Sequence, residues 1–323
     1  MTGSGGEPGG QERPYILYGV EASPYTVKLR AALRYRRLPY RWVCRSVRMY
    51  EPLAHVRPQL MPVLRFPDGE LRTDSTPILE ELEERHGPGR SLLPERPRDR
   101  FLARLIEDMA DEWLTKCLFF YRFNAPEDGE FAARWVMDDA REDLPAEEHA
   151  ASVVPFVERQ VGRMALVGCT PDAAPLLEAS YLRVLDALET TVANGRFLFG
   201  TRPSVADLAL FGQLKTLGTD PTPMAVMRAR APRTDAWVRR ADDLSGVEGE
   251  WEEPGPAVAA LAEMAREIYW PFLKANAAGD VDVMLAGHRF RQPHFRYQAK
   301  CYDRLAKLHA ALAPGAREGI GLE

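Results

Sequence analysis

The sequence predicts an α/β domain of βαβ(α)ββα order followed by an all-α helical bundle domain, and three observations carry that prediction. A short aromatic and branched run, Tyr15 to Val20, leads directly into a helix-periodic stretch from Tyr25 to Tyr35. Two strand-like pieces, Val63 to Phe66 and Glu70 to Thr73, flank the tight-turn signal Pro67-Asp68-Gly69 and run into a second periodic helix. Beyond residue 98 nearly every long segment has helical periodicity. The expected division is a disordered Gly-rich leader over 1–13, the α/β domain over 14–89, a linker over 90–98, the helical domain over 99–313 and a tail over 314–323.

Taken in order, Tyr15 to Val20 suits a buried strand, and Ala22-Ser23-Pro24 opens the first helix. A second strand, Tyr40 to Cys44, follows the Leu38-Pro39 break and gives way to an irregular Arg- and Pro-containing segment, Arg45 to Leu60. After the hairpin, Asp74-Ser75 precedes a helix over Pro77 to His86, in which Ile78, Leu79 and Leu82 share a face and Gly87-Pro88-Gly89 is the stop. The helical domain is expected to contain Phe101 to Phe123, parts of Glu130 to Val167, Pro175 to Ala193, Val205 to Leu217, Thr234 to Leu244, Pro256 to Asn276 and Pro293 to Leu312.

Composition narrows the chemistry. With 323 residues, 46% of them hydrophobic, the chain can bury two cores. A net charge of −5 and a pI near 5.8 argue against gripping nucleic acid or anionic lipid. No stretch approaches the ~20 apolar residues of a membrane span, and the first residues lack a signal-peptide pattern, so the expectation is a cytoplasmic protein. Cys44, Cys117, Cys169 and Cys301 are far apart and form no metal-ligand cluster with the six histidines, which predicts free buried thiols and no metal.

The candidate chemistry lies at the start of the first helix, where unpaired N–H groups and the macrodipole favour an anion. There the chain reads Ser23-Pro24-Tyr25-Thr26, the spacing of a C-P-Y-C redox motif with both sulfurs replaced by hydroxyls. Ser23 can donate to a thiolate but cannot form a mixed disulfide, which disfavours a glutaredoxin-like reductase. Capping alone would also select a serine before a helix. Met61-Pro62-Val63-Leu64 puts a proline at a strand entrance facing that turn; a cis bond there would expose the Met61 backbone to an extended peptide. Proline is also tolerated at the start of an edge strand without any function. Asp74 and Ser75, at a helix start, could receive a ligand's α-amino and α-carboxylate groups, or simply cap.

Together these pieces resemble a glutathione transferase. YILYGVEASPYTVKLRAAL is similar to that family's first strand and helix, MPVLRFPDGELRTDSTPILEEL to its cis-proline hairpin and next helix, and RFLFGTRPSVADLALFGQL to the buried helix of its helical domain, with Ser204 and Asp207 as a capping box. The resemblance implies a thioredoxin-like first domain and makes Ser23 the partner of the thiol sulfur, with Tyr18 as the alternative. It also implies that Met61, beside Pro62, pairs with the cysteinyl backbone, that Asp74 and Ser75 bind the γ-glutamyl end, and that Arg48 takes the glycyl end or faces solvent. Asp74 departs from the Glu or Gln more usual there.

In the helical domain Asp108, Asp111 and Glu112 share a face with Tyr121 and Arg122 two turns on. These residues form either a solvated stripe or, for Asp108, Glu112, Tyr121 and Arg122, the wall of an electrophile pocket. The segment from His288 to Lys300, mixing cations and aromatics, is expected to dock the last helix or lid the cleft. The implied activity is nucleophilic addition or substitution by a small-thiol thiolate on a small-molecule electrophile. Glutathione or another low-molecular-weight thiol would be the co-substrate, and a homodimer the working unit. The alternative is a non-catalytic thiol-peptide-binding or regulatory protein of the same fold.

Overall fold

The computed structural model describes residues 13–141, 143–192 and 195–322. All but the last residue of the expected leader lies outside them. The first domain is thioredoxin-like. Strands β1 (Tyr15–Gly19), β2 (Tyr40–Cys44), β3 (Val63–Arg65) and β4 (Leu71–Thr73) form one sheet in the order β2-β1-β3-β4, with β1 parallel to β2 and antiparallel to β3. Side chains alternate across it. Leu17 and Leu64 face the main core with helices α1 (Pro24–Tyr35) and α2 (Ser75–His86), whereas Tyr18 and Val63 face a smaller core with Val47, Leu53 and Val56 from the irregular segment.

One line of the sheet organises the rest. Tyr18 stands opposite Val63, and Val63 opposite Thr73. The strand directions therefore bring the exit of β1, the entrance of β3 and the exit of β4 to one end of the sheet. Ser23, Met61-Pro62 and Asp74 all follow or precede those three positions by a few residues.

The helical domain follows as α3 (Pro97–Met109), a π-helical turn (Ala110–Leu114), α4 (Thr115–Asn124), α5 (Pro126–Ala140), α6 (Ala146–Val161), α7 (Ala174–Val192), α8 (Val205–Leu217), α9 (Pro221–Arg230) and α10 (Pro232–Arg240). It continues with α11 (Pro256–Met264), a second π-helical turn (Ala265–Tyr269) and α12 (Trp270–Ala278). The expected single helix from Phe101 to Phe123 is thus widened in its middle. The acidic stripe lies at that widening, and π turns of this kind are frequent at functional sites. Between α12 and α13 (Arg296–Ala310) the chain forms a hairpin, β5 (Val281–Leu285) and β6 (His288–Gln292), that periodicity did not indicate; a short α14 (Pro314–Arg317) follows. Phe290 anchors the hairpin, its ring meeting Trp113 at 5.1 Å and Phe272 at 5.6 Å.

The two domains share a core. Gly212 of α8 lets the Pro24 carbonyl approach to 2.4 Å from where a Cβ would stand, so the first turn of α1 lies directly on the helical domain. The Ser204/Asp207 capping box is present, with Asp207 also accepting from the Leu198 N–H at 3.0 Å. Among the described residues no helix is long and apolar enough to cross a membrane. None of the four cysteines is in a disulfide; three are buried and Cys44 is half-buried.

Candidate active site

Ser23 caps α1: its backbone is extended, and its Oγ accepts from the Thr26 N–H at 3.4 Å. A hydroxyl has one hydrogen to donate beside two acceptor lone pairs, so the cap leaves the Ser23 proton available. The Met61–Pro62 bond is cis, and Met61 lies before the β3 ladder begins at Val63. Asp74 is held at φ +77°, a conformation uncommon for aspartate, and its Oδ1 accepts from the Thr76 N–H at 3.4 Å. Ser75 follows as the first residue of α2 and is buried. Tyr18, the alternative sulfur partner, is buried in the smaller core with its ring 6.0 Å from that of Tyr50. Arg48 is exposed and its Nε donates to the Gln59 carbonyl at 3.3 Å.

The acidic stripe is not the solvated face that was one of the two expectations for it. Asp108, Asp111 and Glu112 are all buried. Each has a partner from a distant part of the chain. Asp108 accepts from Tyr269 and pairs with Arg304 of α13. Asp111 shares Lys28 of α1 with Glu107, both at 2.6 Å, and Thr76 of α2 joins the group through Lys28 at 3.2 Å. Burial alone would pull the Lys28 pKa down, but Asp111 and Glu107 carry it above the ordinary lysine value. Glu112 accepts from Gln298 of α13 at 3.0 Å, and a chain runs on from Gln298 through Gln292 at 2.8 Å to the buried Lys116.

Burial, reinforced by Asp108, pushes Glu112 up to about 8. The protonated form is favoured in the fold; the stability it contributes is complete below the ordinary carboxylate range and is lost as pH rises to that value. Glu112→Gln, neutral throughout, is expected to flatten the fall of melting temperature between about pH 5 and about pH 8. An unchanged slope in thermal unfolding would place the ionisation elsewhere.

Two of the proposed pocket residues are drawn away. Tyr121 packs in the main core, 5.4 Å from the ring of Tyr181. Arg122 is locked to Asp220 at 2.7 Å and reaches the site only through the Ala22 carbonyl, at 3.4 Å. Two phenols that the sequence reading did not single out stand near the carboxylates instead. Tyr25 donates to the Asp111 carbonyl at 2.9 Å, and burial together with Glu112 and Asp111 raises its pKa. Tyr297, from the first turn of α13, donates to Asp74 Oδ2 at 2.6 Å. Asn276 fixes that turn through the Phe295 N–H at 2.8 Å and the Phe295 carbonyl at 2.9 Å. The segment from His288 to Lys300 therefore both opens the last long helix and lies over the Asp74 end of the cleft. The only signal for Tyr297 was its place in that cation–aromatic run.

Comparison with known proteins places these features in a family context. Residues 17–91 match the model described as glutathione S-transferase, N-terminal domain, and residues 171–263 the model described as glutathione S-transferase, C-terminal domain; together they span just over half of the chain. The β-etherase LigF from Sphingobium sp. strain SYK-6 is 20% identical over 78% of this chain and 99% of that one, with a TM-score of 0.51. A glutathione S-transferase from Methylobacterium radiotolerans, crystallised with glutathione sulfonate, is 24% identical over 76% of this chain and 93% of that one, with a TM-score of 0.41. A glutathione transferase from Phanerochaete chrysosporium is 14% identical over 79% and 95%, with a TM-score of 0.46. The likeness to LigF speaks for the fold alone. No curated protein sequence matches. Asp108, Glu112, Asp139 and Tyr297 all lie outside the two matched stretches.

Proposed function

We propose, from the premise that this chain belongs to the glutathione transferase-like family, that it binds a low-molecular-weight thiol and transfers it to an electrophile. The observation that carries the reading is the convergence of the Ser23 turn, Met61-Pro62 and Asp74-Ser75 at one end of the sheet. Glutathione is the thiol proposed first. Its γ-glutamyl end is assigned to Asp74 and Ser75, its cysteinyl backbone to Met61, and its sulfur to Ser23, with Arg48 left for the glycyl end. The Ser23 hydroxyl and the positive end of the α1 macrodipole would stabilise the thiolate. The thiolate then attacks an electrophilic carbon, forming a C–S bond while a leaving group departs with its electron pair. A cytoplasmic homodimer is the proposed working form, which light scattering tests.

The contact between Tyr297 and Asp74 favours a second reading, a non-catalytic regulatory protein of the same fold, because the chain's own phenol meets the carboxylate assigned to the γ-glutamyl end. Calorimetry with millimolar glutathione tests whether a thiol binds at all, and no heat of binding would remove the first reading. Tyr297→Phe frees Asp74 Oδ2 and is expected to tighten thiol binding several-fold, about the worth of one charge-assisted hydrogen bond. Weaker binding would make Tyr297 a ligand contact.

A further inference from the structure

We propose that Asp139, at the end of α5, is a positioning residue for the Ser23 turn, and that α4 and α5 hold Ala22, the residue before Ser23, by its carbonyl and its N–H. This rests on the reading of Ser23 as the sulfur partner. The Ala22 N–H donates to Asp139 Oδ2 at 2.8 Å, while the Ala22 carbonyl accepts from Arg122 Nη1 at 3.4 Å. Both grips are themselves held. Arg122 is fixed by Asp220, which also accepts from Trp135 of α5 at 3.2 Å, and the guanidinium lies 5.1 Å from the centre of the Trp135 ring. The last turn of α5 is tied to the exit of β2, its Asp139 carbonyl accepting from Cys44 Sγ at 3.5 Å and its Ala140 carbonyl from the Ser46 N–H at 3.4 Å.

Helix stability does not explain an aspartate in this place. A carboxylate in the last turn faces the negative end of the macrodipole, an unfavourable position worth a few tenths of a kcal/mol or more. Asp138 precedes it and Glu21 lies close by, so the local charge is also against it. Burial, with Glu21 and Asp138, pushes Asp139 up to about 6, and only the Ala22 and Glu21 N–H groups it meets work the other way, favouring the ionised form. Glu21 is in turn neutralised by Arg30 of α1. The clamp thus fixes the two peptide groups that flank Ala22, and with them the direction of the Ser23 side chain relative to the first turn of α1. A displacement of about 1 Å at such a position can cost ~10²-fold in rate.

The test compares Asp139→Ala with Asp139→Asn, which keeps an acceptor oxygen. In the first variant the kcat for conjugation of glutathione with an aryl halide is expected to fall about tenfold and the pKa of the bound thiol, followed by thiolate absorbance, to rise, with the thiol KM within about twofold of the parent. Asp139→Asn is expected to recover most of the kcat. Unchanged kcat in Asp139→Ala, or a change in KM alone, overturns the proposal. If the unmodified protein binds no thiol, the functional reading fails separately, and amide exchange decides the clamp. Exchange at Ala22 should accelerate more than tenfold in Asp139→Ala while α8 stays protected. Equal exchange at Ala22 in parent and variant overturns it.

Discussion

Lys28→Met is expected to destabilise the protein by ~3–5 kcal/mol, because it leaves two carboxylates buried without their cation. Lys28 is fully enclosed, Glu107 is 2% exposed and Asp111 is 7% exposed. The pairing links α1 to the start of the helical domain, one turn beyond the Ser23 cap. A fall in melting temperature on the order of 10 °C follows, read by calorimetry. The sign of the pH response identifies the cause. In the variant both carboxyls gain from protonation, so its deficit should shrink as pH falls; Asp111, raised by burial to about 6 even with Lys28 present, should respond first. Adding Glu107→Gln and Asp111→Asn removes the stranded charges and should restore much of the loss. A deficit that persists at low pH and in the triple variant would mean that packing of the lysine stem dominates instead.

Ser23→Ala is expected to lower kcat/KM for thiol transfer by ~10²-fold, the effect of removing one preorganised donor from a developing anion. The same change removes a helix cap worth ~1 kcal/mol, so activity alone does not separate the two roles of Ser23. Ser23→Asp does. Aspartate caps as well as serine but has no proton to donate and places a like charge beside the thiolate. Stability should therefore return in Ser23→Asp while activity falls at least as far as in Ser23→Ala. Full activity in either variant would move the sulfur partner elsewhere, with Tyr18 next in line.

The local features were legible in the sequence because each depends on residues close in the chain. The Ser204/Asp207 box is a spacing of three residues. The Met61 to Ser75 hairpin announces itself by a proline, a Pro-Asp-Gly turn and a helix cap, and Ser23 by its place before Pro24. Those signals sufficed for the thioredoxin-like order and for bringing Ser23, Met61-Pro62 and Asp74 to one end of the sheet.

The rest was decided by tertiary structure, for one physical reason: the charge state and accessibility of a side chain depend on neighbours that sequence distance conceals. Asp108, Asp111 and Glu112 look alike as an acidic stripe. In the fold one meets Arg304, one meets Lys28, and one accepts from Gln298 with its pKa raised by burial. Tyr121 and Arg122 share the stripe's helix yet turn to Tyr181 and Asp220. Tyr297 and Asp74, more than two hundred residues apart, become hydrogen-bonded because the unanticipated hairpin returns the chain to the cleft. What the sequence by itself determined is the scaffold and the three segments that meet at one end of its sheet; the packing of the helical domain decided which partners the carboxyls find, which phenols reach them and what holds the Ser23 turn.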